Sequence, residues 1–184
     1  GYKEGYESII ELPSGENEIT INFPLYSCVN EVYLGLDENS TLTRRSDYAN
    51  EKPVLFYGSS ITQGGCASRP GMAYEALISR RLDTDYLNFG FSGNAKAEDA
   101  ITDYMASLDY SVFVCDYDHN APNAGYLEST HEKLYLKIRA SHPDVPVVFV
   151  GKLSGDGGKE EIGDDEDSRS HHRINGDFCG GRGD

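Results

Sequence analysis

Positive charge is scarce in this sequence of 184 residues. There are 16 Lys and Arg against 31 Asp and Glu, which gives a formal net charge of −15 at pH 7. Such a chain would repel the phosphates of nucleic acid and an anionic membrane surface, so we expect neither as a partner. No apolar run approaches the roughly 20 residues that a membrane-spanning helix needs. The start, Gly1 to Glu4, has no basic region before an apolar stretch, so no signal peptide is visible and a cytoplasmic location is slightly favoured.

Cysteine pairs are also lacking. Cys28, Cys66, Cys115 and Cys179 lie far apart, with no C-x-x-C motif and no histidine at the spacing of a zinc site. We therefore expect neither a disulfide framework nor a bound metal. Cys115 lies inside an apolar run and is predicted to be a small buried hydrophobic residue.

Residues 1–49 have the pattern of β structure. Apolar and polar residues alternate over Ile19–Phe23 and over Val32–Leu36, and Pro13–Gly15 and Asp37–Ser40 are typical turn sequences. This segment alone is too short to bury a convincing core. We interpret it as a partial, sandwich-like N-terminal β domain.

Residues 50–150 change to a different rhythm, in which short apolar runs alternate with segments of helical period. The pattern predicts helices near residues 72–82, 97–108 and 126–141, and strands at Val54–Tyr57, Tyr86–Phe89, Val112–Cys115 and Val145–Val150. The resulting β-α-β-α-β-α-β order is typical of a parallel sheet covered by helices on both faces. In such sheets, ligands bind outside the carboxyl ends of the strands.

Residues 151–184 lose this pattern abruptly. Nine of the 34 residues are glycine, acidic residues cluster at Asp164–Asp167, and no apolar period remains. Such a sequence buries too little apolar surface to offset its ordering entropy, so a mostly disordered tail is predicted. The sudden change after Val150 suggests a shifted reading frame.

Polar loops follow the first three predicted strands. Ser60 lies in the loop Tyr57–Gly65, Gly93 in the loop Asn88–Asn94, and Asn120 in the loop Asp116–Pro122. A serine at a strand-to-helix turn can present its hydroxyl as a nucleophile, and a glycine N–H with an asparagine amide can stabilise an oxyanion. Each loop alone could equally be an ordinary turn or helix cap. Three of them in chain order favour an active site.

These three blocks resemble those of the SGNH (GDSL) hydrolase family over roughly residues 53–150. The resemblance implies a flavodoxin-like parallel sheet, here incomplete at the C-terminus, with Ser60 as nucleophile and Gly93 and Asn120 as oxyanion donors. Family members cleave esters or thioesters with serine, histidine and aspartate, and without metal or organic cofactor. Members with an N-terminal β domain often remove acetyl groups from carbohydrates. A small-molecule or carbohydrate ester is therefore the expected substrate.

The sequence departs from the family pattern at three points. Ser59 replaces the aspartate before the nucleophile, and the third block reads Asp118-His119-Asn120-Ala121 where the family has glycine-x-asparagine-aspartate. The final Asp-x-x-His block, which supplies the base and its carboxylate, does not occur in residues 151–184, where Asp167 precedes His171 by four positions and His172 by five.

The predicted activity is therefore that of an impaired serine ester hydrolase, with a non-catalytic carbohydrate-binding module as the alternative. A nucleotide-binding α/β domain is disfavoured because there is no G-x-G-x-x-G. Among the other histidines, His119 is predicted to be a loop or pocket residue, and His131 and His142 to face solvent.

Overall fold

In the computed structural model, residues 7–151 are described. The chain divides into two compact units, one up to Asp47 and one from Tyr48 onward. Within residues 7–151, none of the helices is both long and apolar enough to cross a membrane.

Residues 7–47 contain no helix or strand, which differs from the β structure predicted there. The expected turn at Asp37–Ser40 does form, closed by a hydrogen bond of 2.9 Å from the Ser40 N–H to the Asp37 carbonyl oxygen. The alternating segments remain extended, with Ile19, Ile21 and Phe23 each about half exposed. An alternating pattern marks one apolar face of a strand, but a strand forms only when a neighbour pairs with its backbone. The described part of this unit supplies no such neighbour.

The second unit is a four-stranded parallel sheet with the order β2-β1-β3-β4. The strands and helices predicted between residues 50 and 150 are all present, with ends shifted by a few residues. The strands are β1 (Asn50–Gly58), β2 (Thr84–Gly90), β3 (Val112–Asp116) and β4 (Val147–Phe149). The helices are α1 (Ser60–Gln63), α2 (Tyr74–Leu82), α3 (Asp99–Ser107) and α4 (Ala124–Ser141), and short 3₁₀ helices span Pro70–Met72 and Asp118–Asn120. The α/β fold class predicted from the sequence is confirmed.

The central strand β1 is the most deeply buried strand, and its residues Val54 to Gly58 are all buried. The core continues through β3 and the inner faces of α3 and α4, where Phe113, Met105, Leu134 and Ile138 are almost fully buried. Burial on both faces explains why β1 is a continuous apolar run rather than an alternating one. Its carboxyl end therefore lies in the middle of the edge where ligands bind in such sheets.

Cys115 on β3 is buried and free, as predicted, and burial raises the pKa of its thiol well above the usual value. Cys28 and Cys66 are also free and are exposed. Cys179 lies outside the described residues.

Candidate active site

The predicted nucleophile lies at the carboxyl end of β1. Ser59 is the N-cap of α1: its side chain accepts a hydrogen bond of 3.2 Å from the Ile61 N–H. Ser60 is the first helical residue and is half-buried. The replacement of the family's aspartate by Ser59 is conservative in this role, because serine and aspartate are both good N-cap residues.

The loop after β2 is tied to the Ser60 turn by two hydrogen bonds. The Phe91 N–H donates to the Gly58 carbonyl oxygen at 2.8 Å, and the Ser92 N–H donates to Oε1 of Gln63 at 2.7 Å. Gly93 follows on the surface with a φ of 71°, in the left-handed region. The loop that carries Gly93 is thus held directly beside the helix that carries Ser60.

The loop after β3 contacts the same loop through Asn120. Nδ2 of Asn120 donates a hydrogen bond of 2.9 Å to the carbonyl oxygen of Phe91, two residues before Gly93. An amide nitrogen carries two hydrogens, so this bond leaves a second donor for a ligand. Since β1 lies between β2 and β3, the loops with Ser60, Gly93 and Asn120 are neighbours at one edge of the sheet. That the three groups meet at one oxyanion stays a prediction.

A buried polar cluster, not predicted from the sequence, lies beneath the Ser60 turn. The Thr62 hydroxyl is 3.1 Å from the Tyr74 hydroxyl and donates to Oδ2 of Asp116 at 3.4 Å. Glu75, the neighbour of Tyr74 on α2, is completely buried, and Asp116 is 4% exposed. We call Thr62, Tyr74, Glu75 and Asp116 the buried polar cluster.

Both carboxyl groups of the buried polar cluster have altered acidity. Burial raises the pKa of Glu75 to about 7, and burial together with the nearby Asp118 raises the pKa of Asp116 to about 7. Burial also raises the pKa of Tyr74. In the sequence these two residues are visible only as acidic positions: Asp116 ends the apolar run of β3, and Glu75 lies inside the amphipathic helix α2. Neither position reveals from the sequence alone that its side chain is enclosed.

Of the three described histidines, His119 has the loop position predicted for it, whereas His131 and His142 do not face solvent as predicted. His119 lies in an exposed 3₁₀ turn. His131, predicted to face solvent, is instead half-buried, with its ring centre 5.7 Å from that of Tyr117 and 4.4 Å from that of Phe149. His142 is also half-buried. Its ring lies tilted against that of Tyr110, with 4.4 Å between the ring centres, and its Nε2 is 3.1 Å from the Ala106 carbonyl oxygen of α3. The prediction of solvent exposure for these two was wrong because the apolar faces of an imidazole can pack against other aromatic rings.

One group of side chains at this edge has the composition of a metal site. Asp116, Asp118 and His119 each place one possible ligand atom within 4.8 Å of the others. Asp116 is buried, Asp118 is half-buried and His119 is exposed, and this proximity alone does not identify an ion, so we assign no metal to them. Asp167, His171 and His172, the remaining candidates for a base and its carboxylate, lie outside the described residues.

The sequence of residues 51–175, about two thirds of the chain, matches the model of the GDSL-like Lipase/Acylhydrolase family. The chain belongs to this family. The match extends beyond the segment 53–150 that carried the resemblance and reaches into the glycine-rich tail. No curated protein sequence matched the chain.

Two solved structures place this GDSL-like chain among known folds. A GDSL-like lipase from Bacteroides ovatus is 36% identical over 54% of this chain and 29% of its own, with a TM-score of 0.51. A salicylyl-acyltransferase from a tetracycline biosynthetic pathway is 18% identical over 76% of this chain and 46% of its own, with a TM-score of 0.55. At 18% identity, the likeness to the salicylyl-acyltransferase concerns the fold alone. The chain spans less than a third of the Bacteroides ovatus protein.

Proposed function

We propose that this GDSL-like domain cleaves acyl esters by attack of the Ser60 hydroxyl on the carbonyl carbon. The attack forms a bond between Oγ and that carbon, moves the carbonyl electrons onto oxygen, and releases the serine proton to a base. When the carbonyl re-forms, the bond to the alcohol oxygen breaks and the alcohol leaves with that proton; water then attacks the acyl group on Ser60 and releases the acid. The Asn120 amide and the Ser60 and Gly93 N–H groups would stabilise the resulting oxyanion. The observation that carries this proposal is the hydrogen bond from Asn120 to the Gly93 loop, which holds two predicted oxyanion groups together beside the Ser60 turn.

We further propose that turnover by these 184 residues is slow, because residues 151–184 lack the family's final Asp-x-x-His block. A serine hydroxyl is a weak nucleophile unless a base accepts its proton, and loss of one triad member leaves only about 10³–10⁴-fold acceleration over water. Carbohydrate acetyl esters are the proposed substrate class, by analogy with family members that carry an N-terminal β domain. If only the pocket is retained, the domain would bind such esters without cleaving them.

Imidazole added as a base should separate these readings. On p-nitrophenyl acetate, we expect slow hydrolysis that rises with imidazole concentration in the wild type, because the free base can take the proton of Ser60. Ser60→Ala should show only the rise that imidazole causes without enzyme. The measurement is the difference in initial rate between the two proteins across an imidazole series.

Equal rates for the wild type and Ser60→Ala throughout that series would contradict the nucleophile and favour a binding module. A wild-type rate of about 1–10³ s⁻¹ without imidazole, as in ordinary enzymes, would contradict the impairment instead. A histidine of this chain would then be acting, and His119, His171 and His172 would be the ones to replace.

Replacing Asn120 by alanine tests the oxyanion donors. Removal of one such donor typically costs about 10²–10³-fold in rate. We expect Asn120→Ala to lower the Ser60-dependent, imidazole-supported rate by about 10²-fold while changing KM little. Asn94→Ala is the control, because Asn94 lies in the Gly93 loop and its amide donates locally to the Ser92 carbonyl oxygen at 3.0 Å. An equal loss in both variants would indicate disturbance of the loop rather than loss of a donor.

A further inference from the structure

The helix that presents Ser60 is too short to hold its own position. The helix α1 has four residues and ends at Gly64, which has a left-handed φ of 102°. Forming the first turn of a helix costs more conformational entropy than its single hydrogen bond returns, so isolated helices of this length are not stable in water. The orientation of the Ser60 hydroxyl must therefore be set by contacts between α1 and the rest of the domain.

Thr62 makes contacts of this kind with both its main chain and its side chain. It is fully buried, and its backbone carbonyl oxygen accepts a hydrogen bond of 2.7 Å from Nδ2 of Asn88 on β2. Its side-chain hydroxyl lies between the Tyr74 hydroxyl near α2 and the Asp116 carboxyl group at the end of β3. One residue thus connects α1 to three other elements.

The Thr62 hydroxyl joins two groups of the buried polar cluster. It donates its one hydrogen to Oδ2 of Asp116 at 3.4 Å and lies 3.1 Å from the Tyr74 hydroxyl, a pair in which either hydroxyl can be the donor. Thr62 thus connects Tyr74 to Asp116. The backbone of the same turn is fixed to β3 as well, since the Ser59 N–H donates to the Asp116 carbonyl oxygen at 2.9 Å. Asp116 therefore holds the turn by both its main chain and its side chain.

We propose that Thr62 is the positioning residue of Ser60, acting through the buried polar cluster, an inference that rests on the proposed role of Ser60 as nucleophile. The methyl group of Thr62 fills buried space, whereas its hydroxyl fixes the rotation of α1 relative to β3. Loss of the hydroxyl alone would leave the fold intact and let the Ser60 turn open. Threonine and valine have nearly the same shape, so Thr62→Val removes only the hydroxyl.

Hydrogen exchange followed by mass spectrometry gives a readout that does not depend on turnover. The amides of Gln63, Gly64 and Gly65 are bonded to carbonyl oxygens within the turn at 2.7–3.0 Å, so peptides over residues 58–66 report its opening. We expect about tenfold faster exchange there in Thr62→Val, because a buried hydroxyl of Tyr74 and a carboxyl group lose their partner. Peptides over α3 should be unchanged, and Thr62→Ser should restore slow exchange.

Thr102→Val is the matched control, because Thr102 is also buried in a helix and its hydroxyl donates to a carbonyl oxygen at 3.0 Å. It should leave residues 58–66 as in the wild type. The imidazole-supported kcat of Thr62→Val should fall, by up to about tenfold, with little change in KM, because the Ser60 hydroxyl is no longer held in one orientation.

The outcomes for the two proposals are distinguishable. Faster exchange in residues 58–66 of Thr62→Val with no Ser60-dependent rate in the wild type would support the anchoring of the turn and overturn the nucleophile. Unchanged exchange with an unchanged Ser60-dependent rate would overturn the role of Thr62 and leave the nucleophile standing. Faster exchange throughout the domain would also overturn it, because Thr62 would then be a general stability residue.

Discussion

Gly90→Ala should destabilise the domain by about 3 kcal/mol or more in the free energy of unfolding, the largest effect we expect from one added methyl group. A Cβ atom on Gly90 would overlap the backbone nitrogen and Cα of Gln63 and come within 2.5 Å of the Thr62 carbonyl carbon. These are main-chain atoms of α1, so no rotamer change relieves the overlap. Either β2 or the Ser60 turn must move, and the arrangement of the candidate site is lost with it.

Two other Gly→Ala variants serve as controls with smaller expected effects. The free energy of unfolding of all three variants is measured by urea denaturation. Gly93→Ala has open space around its Cβ but a φ of 71°, so it should cost only about 1 kcal/mol of backbone strain. Gly125→Ala in the first turn of α4 meets only Oδ1 of Asn123, at 3.5 Å, and should stabilise the domain by up to about 0.5 kcal/mol. If Gly90→Ala were no more destabilising than Gly93→Ala, α1 would not be packed against the end of β2 as described.

The order of elements in this domain was predictable because the sheet is buried on both faces. Runs such as Val54–Tyr57 and Val112–Cys115 must be apolar throughout, and the helices between them must be apolar on one side. These constraints act on stretches of sequence, so they are visible there. The position of Ser60, Gly93 and Asn120 at three neighbouring strand ends follows from the same order.

The environment of a single side chain was less predictable. The alternation of Ile19–Phe23 depends on a partner strand to become β structure, and the sequence does not say whether one is present. His131 on the third predicted helix was expected to face solvent, but its ring packs against those of Tyr117 and Phe149. These contacts join α4 to β4 and to the residue that follows β3, so they follow only from the assembled fold.

The Asp116 carboxyl group is the strongest example of this limit. An aspartate after a strand of a parallel sheet is expected to be exposed in a polar loop, where it would be a candidate ligand group. In this fold it is enclosed, bonded to Thr62 and close to Asp118 and Glu75. Two acidic groups that are both enclosed beneath one turn cannot be recognised from their sequence positions, 75 and 116.

Glu75→Gln should change how the stability of the domain depends on pH, because burial raises the pKa of Glu75 from 4.5 to about 7. The folded protein therefore holds this proton more tightly than the unfolded chain does, whose glutamate has a pKa near 4.3. The contribution of protonated Glu75 to the free energy of unfolding is fully present below about pH 4 and is lost as pH rises through about 7.

Glutamine resembles the protonated acid at every pH, so it avoids the cost of ionising a buried carboxyl group. We expect Glu75→Gln to match the wild type near pH 4.5 and to exceed its free energy of unfolding by up to about 3 kcal/mol at pH 8. Urea denaturation at pH 4.5, 6 and 8 measures this difference. Asp116 lies close enough to raise the pKa of Glu75, so part of the gain reflects relief of repulsion between the two carboxylates.

Glu128→Gln separates the buried charge from the net charge, because both variants remove one negative charge from a chain of formal net charge −15. Glu128 is exposed on α4, and its replacement should leave the pH profile of the wild type almost unchanged. A Glu75→Gln protein less stable than the wild type at pH 8 would contradict the prediction, since it would mean that the charged form of Glu75 makes a favourable contact. An equal gain in both variants would assign the effect to general repulsion among surface charges. Only a gain confined to Glu75→Gln and growing between pH 4.5 and 8 identifies the enclosed carboxyl group beneath the Ser60 turn as its source.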